Sequence, residues 1–230
     1  SGLHIITNTG YYGALNDRHL PEHAFSESAE EIARRWIGEW TDGIDGTDVR
    51  PGMMKIGVDA GPLSEMDAKL VRAAAITHLQ TGLTIAAHGG SAVAAFGELE
   101  ILEEEGVHPG AWIWVHAQAE EDVGRHVEAA RRGAWVEFDG VSPESVERHV
   151  ELVENMRRHD LLARTLISHD AGWYTVGEPG GGAFRGYSTM FTEFIPALRR
   201  AGLNEPEIDQ LVRKNPAEAL RIRVRRLQDR

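Results

Sequence analysis

Four titratable residues follow short apolar runs: Lys55 after Met53-Met54, His88 after Ile85-Ala86-Ala87, His116 after Trp114-Val115, and Asp170 after Ser168-His169. Imidazole nitrogens and oxygen ligands suit zinc and similar divalent ions. The chain has no cysteine, so a metal site must draw on His, Asp, Glu or a modified Lys. Taken singly, each residue has an ordinary reading: a hydrogen-bonded structural histidine, a lysine snorkelling from a strand, an aspartate capping the next segment. The repetition argues for chemistry, because in a parallel (β/α) barrel the C-terminal ends of all strands open onto one mouth.

The elements that must position these residues are legible as alternation. Runs rich in Val, Ile and Ala at 3–7, 53–58, 83–87, 112–115, 134–138 and 165–168 are expected strands. Between them, stretches at 28–40, 65–80, 93–105, 121–131 and 143–158 carry apolar residues at helical spacing. Gly82, Gly106 and Gly133 close three of these helices, as glycine does where the chain enters the left-handed region. Strand then helix, repeated, predicts one α/β domain over 1–230 with a parallel sheet, a TIM-type (β/α) barrel. Two long segments after strands, 11–27 and 171–188, sit where such a barrel builds its site.

Composition narrows the partners. A formal charge of −12 over 230 residues leaves no broad basic surface for phosphate backbones, which argues against nucleic acid. No run approaches the roughly 18 apolar residues that span a bilayer, so a soluble protein is expected, with the cytoplasm favoured and a homodimer left open.

The sequence resembles the phosphotriesterase-like branch of the amidohydrolase superfamily, which includes phosphotriesterases and lactonases. The carriers are Ser1-Gly2-Leu3-His4-Ile5-Ile6 leading to Thr9-Gly10-Tyr11-Tyr12, then Met54-Lys55-Ile56, Ala87-His88, Val115-His116, Ile167-Ser168-His169-Asp170 and Asn215-Pro216-Ala217. The resemblance implies two divalent metals, usually zinc, bridged by a hydroxide and by Lys55 carboxylated with carbon dioxide. It implies that His88 and His116 ligate one metal, and that Asp170 binds the other and accepts a proton from the nucleophilic water. It also places Tyr12 at the pocket wall. Trp173 and Arg185, beside the glycine-rich stretch 177–182, are candidate substrate contacts on a lid.

Two departures qualify this reading. The family's first strand supplies a His-x-His pair that this chain lacks; the first segment matches the family's third strand, so the first two of eight strands are expected to be missing. The usual proton-relay positions hold Ala119 and Gly140, with Glu120 and Asp139 beside them as ordinary surface or supporting carboxylates. The expected activity is metal-dependent hydrolysis of an ester-like bond in a small molecule, a lactone or carboxylate ester before a phosphotriester, with two metals and full activity expected only where the two missing strands are also present. The alternative is a non-catalytic ligand-binding barrel that keeps at most one metal.

Overall fold

The protein is described by a computed structural model covering residues 2–228; Ser1 of the N-terminal motif lies outside them. Six strands form one parallel sheet in chain order: β1 (Asn8–Thr9), β2 (Met53–Gly57), β3 (Thr84–His88), β4 (Trp112–Val115), β5 (Trp135–Phe138) and β6 (Thr165–Ile167). The helices are α1 (His23–Ser26), α2 (Ala29–Asp42), α3 (Glu65–Thr81), α4 (Ala92–Glu104), α5 (Val123–Arg132), α6 (Val146–Arg158), α7 (Ile195–Arg200), α8 (Glu205–Asp209) and α9 (Asn215–Ala219). Among the described residues β1 and β6 are the two edges of the sheet.

Strand alternation divides the apolar side chains between two faces. Ile85, Ala87, Trp112, Trp114, Val136 and Phe138 pack outward into the main core against the helices. Ala86, Ile113, Val115, Trp135 and Leu166 form a smaller cluster on the inner face, closed below by Ala219 of α9. Local chemistry sets the helix ends: Ser28 and Ser64 make capping boxes with Glu31 and Asp67, and Gly82 and Gly133 close α3 and α5 with left-handed backbone.

One expected strand is corrected. The apolar run 3–7 is not a strand; pairing begins at Asn8, opposite Met53. Gly52 N–H still bonds the Thr7 carbonyl at 2.9 Å, but the preceding residue is Pro51, which has no N–H to extend the ladder. Leu3 and Ile5 are accordingly exposed.

The C-terminal segment is laced beneath the sheet through His78, buried on α3. Its Nδ1 faces the Leu83 carbonyl at 2.8 Å, and its Nε2 accepts from the Arg225 amide at 2.9 Å. These partners require the neutral ring with hydrogen on Nδ1. Burial, the largest cause, lowers its pKa below the ordinary 6.5, so this stability is intact above 6.5 and is lost as pH falls through the lower folded value. The hydrogen-exchange protection factor of the Arg225 amide is therefore expected to drop on acidification before amides inside α3 lose theirs. Equal loss at both places would refute the linkage.

Candidate functional site

Strand parity places three inner-face positions in line with the mouth. Lys55 pairs in register with Ala86, an inner-face residue, and His88 lies two residues beyond Ala86 at the end of β3. Glu137 shares the face of Trp135 on β5. Lys55 is mid-strand rather than at the strand end expected of it, because β2 continues through Ile56 and Gly57. Its Nζ is buried and has no hydrogen-bond partner among the described residues. Burial lowers the lysine pKa, opposed by the carboxylates of Glu137, Asp139 and Asp170. Such a desolvated amine favours the neutral form, which alone can add carbon dioxide.

His116 breaks the parity. It directly follows Val115, an inner-face residue, so continued extended backbone would point it outward. Instead it adopts φ 63° and ψ 29°, a left-handed conformation that costs a residue with a Cβ about 1 kcal/mol or more. This turn brings its ring to 4.4 Å from that of His88, centroid to centroid. Asp139 holds it there: one carboxylate oxygen accepts from the His116 amide and the other meets its Nδ1, each at 2.7 Å. Gln118 braces the carboxylate, donating to it at 2.7 Å and accepting from the Asp139 amide at 3.0 Å. His149 secures the Asp139 carbonyl from behind at 2.6 Å. With Nδ1 engaged, His116 presents Nε2 as its free ligating atom.

Asp170 is the second left-handed residue at the mouth, at φ 44°. Its carbonyl accepts from Trp173 Nε1 at 2.8 Å and from an Arg185 guanidinium nitrogen at 2.6 Å, with that guanidinium 6.0 Å from the Trp173 ring. Both residues thus fasten the Asp170 backbone. Tyr12 stands across the mouth, 5.0 Å from the His88 ring. Its ring lies so close over Gly57 that a Cβ there would come within 2.7 Å of it. Gly10 is similarly required, since a Cβ would fall 2.2 Å from the Lys55 carbonyl oxygen.

Donor atoms of His116, Asp139 and Asp170 lie within 4.8 Å of one another, a spacing that fits a divalent cation. Asp139, however, already serves His116 and Gln118, so it suits an orienting role better than direct ligation. Burial, then the neighbouring His116 and Lys55, pushes the His88 pKa down to about 4, which favours the neutral ring that metals bind. The donor set, together with the orphaned Lys55 amine, fits a metal centre carrying a carboxylated lysine.

Sequence reasoning undervalued Asp139 and missed Gln118 and Glu137. Asp139 is only 2% exposed, and its pKa is held down by hydrogen bonds from His116 and Gln118 that outweigh the raising effect of burial. Glu137 is raised to about 7, first by burial and then by Asp139. The available signal was a charged residue inside the otherwise apolar Trp135–Phe138 strand. Glu120 matches its ordinary reading, accepting from the amides of Ala92 and Asp122.

The model of the phosphotriesterase family matches residues 1–220. The chain belongs to this family. A phosphotriesterase homology protein of Escherichia coli (strain K12) is 29% identical over 222 residues, covering 95% of this chain and 74% of that protein. An aryldialkylphosphatase of Saccharolobus solfataricus is 26% identical, covering 94% of this chain and 71% of its own. The human N-acetyltaurine hydrolase is 28% identical, covering 96% and 66%. The crystal structure of the Escherichia coli phosphotriesterase homology protein, complexed with phosphate in its active site, superposes with a TM-score of 0.86 at 28% identity, over 95% of this chain and 75% of that one. A resiniferatoxin-binding protein from Rhodobacter sphaeroides gives 0.83 at 28% identity, over 95% and 63%. The six parallel strands are thus a phosphotriesterase-family α/β barrel sheet. The expected start at the family's third strand is not borne out by the family match, which runs from residue 1 and carries no strand count. No helix among the described residues is long and apolar enough to cross a membrane.

Proposed function

We propose that this phosphotriesterase-family chain acts in the metal-dependent hydrolysis of an ester-like bond, with a lactone or carboxylate ester preferred to a phosphotriester. The observation that carries the proposal is the convergence of His88, His116 and Asp170 on one mouth with the buried, unpartnered Lys55 amine. His88 and His116 would hold one divalent ion through neutral ring nitrogens, Lys55 would bridge as its carbamate, and Asp170 would ligate and accept a proton from the attacking water. When bound, the ions supply Lewis acidity and lower the pKa of coordinated water. Asp139 fixes the His116 tautomer, and Trp173 and Arg185 fix the Asp170 backbone. Tyr12 forms the wall against which a substrate would lie. Ala119 and Gly140 at the relay positions offer no proton carrier, which supports an acyl substrate over a phosphotriester.

The test is hydrolysis of lactones, an aryl carboxylate ester, a phosphotriester and an N-acyl amine by protein prepared with zinc and bicarbonate. Turnover of the acyl substrates, abolished by chelation and restored by zinc, is the expected result. With no His-x-His pair in the chain, the ion on His88, His116 and Lys55 is expected to be held tightly and the one on Lys55 and Asp170 only weakly, so that elemental analysis of protein freed of excess zinc should find at most one metal per chain. Metal binding without turnover of any substrate would instead support the ligand-binding barrel.

A further inference from the structure

A second constellation lies at the other end of the sheet. A cavity of about 620 Å³ opens where β5 begins at Trp135 and where Arg164 leads into β6. Four arginines line it, Arg164, Arg223, Arg225 and Arg226, against a single carboxylate, Glu218. In a chain of formal charge −12, such a local excess of cations is not a consequence of composition. Like charges held together around a concave space raise its potential and draw in counter-ions.

The arginines differ in what holds them. Arg225 is only 7% exposed, and its guanidinium donates to the carbonyls of Glu218 at 2.8 Å, Arg221 at 3.2 Å and Arg223 at 3.3 Å. Those bonds fix its position, but carbonyls leave its charge unneutralised. Glu218 is shared between Arg221 and Arg223, at 3.2 and 3.0 Å. Arg164 stacks 5.1 Å above the Trp135 ring, and its guanidinium has no hydrogen bond or ion pair among the described residues. It is a rigidly backed, half-buried guanidinium whose donors are uncommitted. A purely structural arginine would be expected to satisfy those donors on protein acceptors.

We propose that this cavity is a binding site for a tetrahedral oxyanion, phosphate or sulfate, free or carried on a small molecule, with Arg164 and Arg225 as its principal cations. Guanidinium forks match the oxygens of such groups in bidentate geometry. The cavity volume falls in the range of small-ligand sites. Burial lowers the pKa of both Arg164 and Arg225, and each is lowered further by Arg223; an anion would relieve that repulsion. The site is separate from the candidate metal centre, which lies beyond the opposite ends of the same strands.

The test is calorimetric titration with inorganic phosphate and with an alkyl phosphate monoester, at constant ionic strength. A similar structure holds phosphate in its active site, so the titrations are made on chelated protein in an Asp170→Asn background. Binding is expected to survive that treatment, to weaken roughly tenfold or more in Arg164→Gln, and to tighten in Glu218→Gln, which removes the competing carboxylate. Tightening is a result that a merely structural role for these side chains would not give, and it remains readable should Arg164→Gln fold poorly. Preference for the monoester assigns a carried group, and equal affinity assigns the free ion. Binding that disappears on chelation, or an affinity unchanged in both variants, overturns the site without touching the proposed hydrolysis.

Discussion

Lys55→Ala is expected to lose bound metal and hydrolytic turnover together while the barrel stays folded. The amine is buried without a hydrogen-bond partner among the described residues, so alanine breaks no hydrogen bond of that nitrogen and leaves space at the mouth. A lone ammonium there would repel a divalent cation, whereas the carbamate supplies a negative bridging ligand. Loss of a direct bridge should exceed the roughly 10–100-fold penalty typical of losing an outer partner. Small carboxylic acids in solution are expected to restore part of both metal content and activity, since a carboxylate of that size can enter the vacated space. Lys55→Glu should retain some function for the same reason. Intact-mass measurement should find the increment of one carbon dioxide in the parent protein and none in Lys55→Ala. Full metal content and activity in Lys55→Ala would rule out the bridge.

Asp139→Asn is expected to weaken metal binding and turnover by roughly 10–100-fold. Asp139 meets three donors, the His116 amide, the His116 Nδ1 and Gln118 Nε2, each at 2.7 Å. An amide replaces one acceptor oxygen with a donor, so either His116 loses its tautomer control or its left-handed backbone loses its tether. The second outcome would also cost about 1–3 kcal/mol of stability, as for any buried donor left unsatisfied. Elemental analysis and thermal unfolding separate the two effects. Unchanged metal affinity in Asp139→Asn would show that His116 needs no such support.

How much of this was legible in the sequence depends on the kind of interaction. Strand alternation and helix spacing are local properties, so β2 through β6 and α2 through α6 fall within a few residues of where the residue pattern puts them. The run 3–7 has the same composition as a strand, but a strand also needs pairing, and Pro51 ends the available ladder. Lys55, His88, His116 and Asp170 stand out as polar residues after apolar runs, and the parallel order points the strands that carry or precede them the same way. Parity alone sends His116 outward. Its left-handed backbone, held by a carboxylate 23 residues away, could be set only by tertiary contact. The same holds for Asp139, which in the sequence is one acidic residue among 36, and becomes distinctive through burial beneath His116. Chain pattern therefore determined β2 through β6 and marked Lys55, His88, His116 and Asp170 as candidates. The folded structure decided which way those residues turn, because the energy offsetting a strained backbone comes from partners distant along the chain.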